Sequence, residues 1–185
     1  MTSAHRAHNA DPTSEEIPSP LLVLLRHARA STSEWSDAAR HLSGEGRIQA
    51  EVTGRRLTRD GIVPDAVLCS SSARTRETWE AIAAQVGGAP KVRFTEDLYR
   101  GYIPELIEAV RGVNRNAMCV MVVGHNPTVS AAAAALAAAD SDPDATLRVH
   151  RGLSTSAYAL LRPLVPWAQT MPGTAILTTV VKPRV

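Results

Sequence analysis

Two histidines each follow directly on an apolar run that is typical of a buried strand. His27 comes after LLVLLR, which ends in Arg26, and His125 comes after CVMVVG. A third apolar run, DAVLCS, ends in a serine-rich segment that leads to Arg74. A neutral imidazole can attack phosphorus, and an arginine can bind phosphate through a forked pair of N–H donors. These residue types therefore fit the chemistry of a phosphoryl group.

The elements that would position these side chains alternate between strands and helices. Strands are predicted at 21–26, 65–70, 91–95, 117–124, 155–161 and 174–181, and helices at 43–59, 72–86, 102–113 and from 127 through 139. Such alternation is typical of parallel strands joined by helices. The predicted fold class is α/β, with a mainly parallel sheet and helices on both faces in a single three-layer domain.

In a parallel sheet, the carboxyl ends of the strands share one edge, where open α/β folds bind their ligands. Arg26, His27, Arg74 and His125 all fall at this edge, and two predicted helices begin there. Helix N-termini add free N–H groups and the positive end of a dipole. An Arg–His pair alone is a weak signal, because the same sequence contains a second such pair at 40–41. The joint placement of the four side chains favours a phosphate site.

Local patterns give further expectations about the helices. In the first predicted helix, Ile48, Val52 and Leu57 lie near helical spacing and are expected to face the core. Asn126 is expected to cap the helix that begins at Pro127. Both expectations concern helices that start at the proposed phosphate-binding edge.

Several other ligand classes are disfavoured by motifs that the sequence lacks. It has no GxxxxGK[ST] loop, and the segment 44–46 lacks the third glycine of a dinucleotide fingerprint. No HExxH motif or paired carboxylate cluster marks a metal hydrolase. Asp140, Asp142 and Asp144 do not continue into the glycine and glutamate of a calcium loop. These three residues are expected to form an acidic surface loop.

Composition sets the broad class of the protein. With 185 residues, 44% of them hydrophobic and 21% charged, the chain fits one globular domain. A net charge of +2 indicates neither a nucleic acid nor a membrane partner. Cys69 and Cys119 lie in apolar runs and are expected to be buried free thiols. No run resembles a signal peptide or a membrane span, so a cytoplasmic location is expected.

The first 19 residues differ in character from the rest. They are polar, contain prolines and show no hydrophobic period, so 1–19 is expected to be a disordered tail. His5 and His8 lie in this tail and are not expected to bind a metal. The folded domain is expected to span 20–185.

Four segments, in this order, resemble the motifs of the histidine phosphatase superfamily: LVLLRHA, RHL followed by Gly46, VLCSSSARTRET and VVGHNP. They look most like the short, SixA-like phosphohistidine phosphatase branch, and the similarity runs from about residue 21 to about residue 137. The resemblance implies a phosphoglycerate mutase-like catalytic domain, a phosphohistidine intermediate, and no metal or other cofactor. It also implies a partner that is a phosphorylated protein, such as a phosphohistidine-carrying domain, or a small phosphomonoester.

The resemblance assigns a role to each matching residue. His27 corresponds to the nucleophile that is transiently phosphorylated, and Arg26, Arg74 and His125 correspond to the rest of the phosphate pocket. Arg40 is a further candidate for contact with the phosphate. Histidine has a reference pKa of about 6.5, so both protonation states are accessible near neutrality. His27 is expected to be neutral for attack, and a charged His125 is expected to help hold the phosphoryl group.

The sequence departs from the family pattern at two points. Ala28 stands where glycine is commonest, and the turn is expected to survive unless it needs a positive φ. No tight motif marks the proton donor, for which Glu96, Asp97 and Glu105 are the candidates. A protonated imidazole is a good leaving group, so a phosphohistidine substrate would need less help from such an acid.

Two alternatives to a phosphohistidine phosphatase remain open. The substrate could be a small phosphomonoester, or the chain could be a phosphate-binding or phosphoprotein-binding module without turnover. Mutase activity is disfavoured because the chain is short. Predicted helices and strands fill the interval between Arg74 and His125 and leave little chain for a lid. An open, shallow site is therefore expected.

Overall fold

The structure is a computed structural model that describes residues 19–32 and 36–184. The tail expected at 1–19, with His5 and His8, therefore lies outside the described residues except for Ser19. None of the helices in these two ranges has the length and apolar character needed to cross a membrane. Cys69 and Cys119 are both buried free thiols, as predicted.

The strands of the described chain form one sheet in the order β3-β2-β4-β1-β5-β6. Their bounds are β1 Leu21–Arg26, β2 Ala66–Ser70, β3 Lys91–Thr95, β4 Cys119–Gly124, β5 Tyr158–Pro163 and β6 Ala175–Val181. Parallel pairing joins β3, β2, β4 and β1, whereas β5 runs antiparallel to both β1 and β6. The predicted mainly parallel sheet is confirmed.

Helices cover both faces of this sheet. Their bounds are α1 Gly44–Arg59, α2 Ala73–Ala83, α3 Asp97–Arg100, α4 Ile103–Arg111, α5 Thr128–Leu136 and α6 Pro143–His150, and a short 3-10 helix spans Trp167–Gln169. Apolar side chains of α1 and α2 pack on one face, and those of α4, α5 and α6 pack on the other. The predicted three-layer α/β architecture is confirmed.

Strand β1 lies at the centre of both cores. Leu22 and Leu24 contribute to the core beneath α4, α5 and α6, and Val23 and Leu25 contribute to the core beneath α1 and α2. All four side chains are at most 1% exposed. A strand that is buried on both faces reads as an unbroken apolar run, which is why LLVLLR could be recognised.

The expected buried face of α1 is wrong in part. Leu57 is buried, but Ile48 is 48% exposed, and the rest of the face toward the protein consists of small residues. A Cβ atom added to Gly46 would lie 2.0 Å from the Arg29 carbonyl oxygen, and one added to Gly54 would lie 2.7 Å from a side-chain carbon of Gln85. Close approach by glycine, rather than apolar spacing, orients this helix.

Two expectations about helix starts are also corrected. Asn126 does not cap α5, because its Oδ1 atom, the acceptor that a cap needs, has no hydrogen-bond partner among the described residues, whereas its Nδ2 group donates to the Leu153 carbonyl at 2.7 Å. The segment expected to be an acidic loop begins α6, and the Asp142 carboxylate accepts from the Ala145 N–H at 2.7 Å. An aspartate followed by proline is a typical helix start, a signal that outweighs the alternation of acidic residues.

Candidate active site

The ends of the parallel strands bring the two histidines together. Arg26 at the end of β1 lies beside Gly124 at the end of β4, and the histidine that follows each of them leaves the sheet at this edge. The rings of His27 and His125 are 5.1 Å apart between centroids. The convergence predicted from the strand ends is therefore present in the structure.

The backbone at His27 is fixed by hydrogen bonds from distant parts of the chain. The His27 N–H donates to the Gly124 carbonyl at 3.0 Å, and the Ser156 N–H donates to the carbonyls of Arg26 and His27 at 3.1 Å. Ser156 has φ 61°, and its hydroxyl lies 2.7 Å from the hydroxyl of Thr53. A residue in this backbone region is costly unless its surroundings hold it, and these bonds do so.

Ala28 fits the turn that follows the first histidine. Its N–H donates to the Thr78 hydroxyl at 3.0 Å, and its side chain is fully buried. Among the described non-glycine residues only Ser156 has a positive φ, so the turn at Ala28 does not need glycine. The expectation that alanine is tolerated here is confirmed.

Hydrogen bonds define which nitrogen of His27 is free to react. The Nδ1 atom lies 2.7 Å from the Ala28 carbonyl oxygen, which can only accept, so Nδ1 carries the proton and donates. The Nε2 atom then has the lone pair, and it accepts from Nε of Arg74 at 3.3 Å. Nε2 of His27 is therefore the nitrogen that can attack phosphorus.

The second histidine adopts the complementary tautomer. Nη2 of Arg74 lies 3.3 Å from Nδ1 of His125 and donates to it. The Nε2 atom of His125 lies 2.8 Å from the hydroxyl of Ser70, the buried last residue of β2, and donates its proton there. Ser70 therefore orients the ring so that Nδ1 faces Arg74.

Both imidazoles are neutral near pH 7. Burial lowers the pKa of His27 to about 4, and the nearby Arg74 and Arg26 guanidinium groups add to this effect against the opposing Ala28 carbonyl. Burial, followed by the neighbouring His27 and Arg74, lowers the pKa of His125 to about 3. The neutral His27 matches the state expected for attack, whereas the charge expected on His125 when it holds a phosphoryl group stays a prediction.

Titration of the ring nitrogens by NMR is expected to give midpoints near pH 4 for His27 and near pH 3 for His125. The unfolded chain takes up both protons near pH 6.5, so the free energy of unfolding is expected to fall as the pH falls from about 6.5 toward 4. The spectra of His27→Ala and His125→Ala assign the two signals. A midpoint near 6.5 for either ring would contradict the burial argument.

Arg74 is the centre of the site. It is 5% exposed, and its Nε faces His27 while its two terminal nitrogens bond Asp37. One of these terminal nitrogens lies 2.8 Å from Oδ2 of the Asp37 carboxylate. The inner edge of the guanidinium therefore faces the histidines and the outer edge faces Asp37.

Asp37 and Tyr99 were not found by sequence reasoning. The Tyr99 hydroxyl donates to Oδ2 of Asp37 at 3.0 Å, and the Tyr99 ring meets the His125 ring edge-on at 5.7 Å. Burial disfavours the charged form of Asp37, but hydrogen bonds and charge from Arg74, with Tyr99 and Arg40, outweigh it and lower the pKa to about 2. Asp37 follows no strand and belongs to no motif, so the sequence carried no signal for it.

The other two arginines hold different positions. Nη1 of Arg26 donates to the Leu153 carbonyl at 2.7 Å, and its buried Nε has no partner among the described residues. Arg40 donates to the Ser31 carbonyl at 2.8 Å and pairs with Asp37 at 3.2 Å, so it lies at the outer side of Arg74.

The three candidate proton donors lie elsewhere. Glu96 pairs with Arg100 at 2.8 Å, Asp97 accepts from Thr95, and Glu105 accepts from the Tyr102 N–H at 2.7 Å, a bond that lowers the pKa of Glu105. In the described chain, none of the three hydrogen-bonds a histidine or arginine of the site. No group of three or more metal-binding side chains was found in the same part of the chain.

Comparisons with known proteins give a consistent result. The model of the histidine phosphatase superfamily (branch 1) matches residues 22–99. An uncharacterised protein of Mycobacterium tuberculosis is 34% identical over 162 residues, which cover 86% of this chain and all of the relative. The similarity therefore extends well beyond the region that the family model matches.

Two solved structures are similar over nearly the whole chain. A protein from Nakamurella multipartitia, assigned as the phosphohistidine phosphatase SixA, has a TM-score of 0.80 and 32% identity, and the match covers 95% of this chain and 100% of that one. A protein from Agrobacterium tumefaciens with the same assignment has a TM-score of 0.74 and 25% identity, covering 90% and 99%.

Proposed function

The chain belongs to the histidine phosphatase superfamily, in its SixA-like branch, and is a phosphatase with a histidine nucleophile. On that premise, we propose that it hydrolyses protein phosphohistidine through an intermediate on His27. The observation that carries the assignment of the nucleophile is the lone pair on Nε2 of His27, which faces Arg74. The neighbouring Arg26 and His125 complete a pocket for the phosphoryl group.

Two chemical steps account for turnover. Nε2 of His27 attacks phosphorus, and the bond from phosphorus to the leaving group breaks with its electron pair going to that group. Water then attacks the phosphohistidine and releases phosphate, and the electron pair of the P–N bond returns to Nε2. N–H donors of Arg26 and Arg74 can stabilise the charge on the phosphoryl oxygens in both steps without a metal.

His125 is suited to change its protonation state when a phosphoryl group binds. Its Nδ1 accepts from Arg74 in the structure, and the ring is neutral because it is buried beside positive groups. A phosphoryl dianion in the pocket would reverse that local charge and favour the imidazolium. Nδ1–H could then donate to a phosphoryl oxygen while Ser70 holds the other nitrogen.

The absence of a protonated carboxylic acid beside the histidines, in the described part of the site, supports a substrate with a good leaving group. Glu96, Asp97 and Glu105 are held by other partners, and Asp37 is ionised. Alkyl phosphates need a proton on the departing oxygen, whereas a ring-protonated phosphoimidazole leaves as neutral imidazole. Phosphohistidine therefore suits this site better than phosphoserine or a sugar phosphate.

The open rim also supports a protein substrate. The interval from Arg74 to His125 is fully described and consists of α2, β3, α3, α4 and β4 joined by short connections, the longest being 84–90 and 112–118. No segment of this interval is left to enclose a small molecule. A protein can bring its own contacts to such a site, whereas a small phosphoester has little binding energy to contribute.

Turnover of a substrate panel tests the proposal. We expect kcat/KM to be clearly higher for a phosphohistidine protein than for phosphotyrosine, phosphoserine or sugar phosphates, and we expect activity to persist in excess chelator. Fast, saturable hydrolysis of one small phosphomonoester would contradict the proposed substrate. Loss of activity in chelator that zinc or magnesium restores would contradict the metal-independent mechanism, and binding without turnover would indicate a phosphate-binding module.

A further inference from the structure

Asp37 places a negative charge at the mouth of a site that otherwise presents positive groups. The carboxylate lies on the outer edge of Arg74, at 2.8 Å, and its side chain is 55% exposed. The inner edge of the same guanidinium contacts the nucleophilic Nε2 of His27. Arg74 therefore separates the attacking nitrogen from an exposed carboxylate.

The side of the site away from the nucleophile is the side from which the leaving group departs. In phosphoryl transfer, the attacking and leaving atoms are roughly in line on opposite sides of phosphorus. A phosphoryl group held against Arg74 and attacked by His27 directs its leaving group outward, toward the mouth where Asp37 lies. Asp37 is thus placed beside the leaving group rather than beside the nucleophile.

The carboxylate has room for one more donor. Oδ2 accepts from Arg74 and Tyr99, and Oδ1 accepts from Arg40 at 3.2 Å. A carboxylate offers about four lone-pair sites, so these three bonds leave Asp37 able to accept another. The groups that face it, two guanidinium groups and a phenol, hold it in the ionised form.

We propose that Asp37 is a specificity-determining residue that selects phosphorylated imidazoles by accepting a hydrogen bond from the ring N–H opposite the phosphorylated nitrogen. This inference rests on the proposed function, since it assigns the leaving-group side of the same site. Asp37 favours the ring-protonated substrate and disfavours phosphoesters, whose departing oxygen carries negative charge.

The step balances without an added acid. His27 forms a bond to phosphorus, the P–N bond of the substrate breaks, and its electron pair returns to the ring nitrogen. The proton on the other ring nitrogen stays in place, so the leaving group is neutral imidazole. Because the ring is positive before the bond breaks and neutral afterwards, Asp37 stabilises bound substrate and orients it for attack.

Two small substrates separate this role from a merely structural one. Phosphoimidazole carries the ring N–H that Asp37 would bind, whereas p-nitrophenyl phosphate has an aryl oxygen that leaves without a proton. Asp37→Asn keeps a side-chain oxygen that can accept from Arg74 but removes the charge. Asp60→Asn, which removes a carboxylate paired with Arg56 on α1, is the matched control.

We expect Asp37→Asn to lower kcat/KM for phosphoimidazole about tenfold more than kcat/KM for p-nitrophenyl phosphate, because only phosphoimidazole loses a hydrogen bond between charged groups. Asp60→Asn should change neither value. Equal losses of kcat/KM on both substrates would mean that Asp37 only positions Arg74. Unchanged kcat/KM on both would mean that Asp37 does not contact the leaving group. Either result overturns the inference while the proposed function stands. If the unsubstituted protein hydrolyses neither compound nor a phosphohistidine protein, the proposed function fails, and this inference with it.

Discussion

Replacing His27 by alanine is expected to abolish phosphatase turnover, with kcat reduced by on the order of 10⁴ or more. The unprotonated ring nitrogen of His27 faces Arg74, and the unprotonated nitrogen of His125 faces the same edge of that guanidinium. If His125 could replace His27 as nucleophile, activity would survive the substitution. Because the family resemblance places the nucleophile at His27, we expect that His125 does not replace it.

The intermediate gives this prediction a chemical readout. Rapid quenching with labelled substrate should give an adduct on His27 that is labile in acid and stable in alkali, as a phosphoramidate is. His150→Ala, which removes an exposed histidine at the end of α6, should keep full activity and the same adduct. Thermal unfolding and circular dichroism should show that His27→Ala folds. An adduct on another residue, or full activity in His27→Ala, would overturn the assignment.

Replacing Arg74 by alanine is expected to lower kcat by about 10²–10³ and to weaken inhibition by inorganic phosphate. Arg74 stabilises charge on the phosphoryl oxygens and also orients the rings of His27 and His125. Arg74→Lys should recover little of the loss, because an ammonium group keeps the charge but cannot bond both histidines and Asp37 at once.

A neighbouring arginine provides the control for Arg74. Arg76 lies on the same helix and is exposed. Its guanidinium carbon lies 4.4 Å from the centroid of the Phe94 ring. Arg76→Ala removes the same charge from α2 and should leave kcat and phosphate inhibition unchanged. If inhibition by phosphate were the same in Arg74→Ala and in the unsubstituted protein, Arg74 would not contact the phosphoryl group.

The sequence located the four central side chains because their positions follow from general rules of sheet geometry. Buried strands read as apolar runs, and parallel strands end at one edge, so Arg26, His27 and His125 could be placed there before the structure was known. Arg74 could be placed because a recognisable helix start follows the second strand. Local sequence patterns, namely apolar runs and helix starts, were therefore sufficient to place all four side chains.

The surroundings of these side chains could not be predicted in the same way. Asp37 meets Arg74 across 37 residues and Tyr99 across 62, and neither contact is encoded by a local pattern. The buried face of α1 is formed mainly by small residues that allow close approach. The spacing of apolar residues therefore predicted a buried Ile48, which is exposed. The neutral state of His125 depends on burial and on charges from several elements, which its residue type does not reveal.

The turn at His27 also has a consequence for the order of folding. Its hydrogen bonds reach Thr78 in α2, Gly124 at the end of β4 and Ser156 just before β5, so the turn is complete only after elements from most of the chain have docked. Contacts between residues so far apart in sequence form late, because the entropy of closing long loops must be overcome first. After dilution from denaturant, helical structure should therefore return before hydrolysis does, and the regain of activity marks the final assembly of the chain.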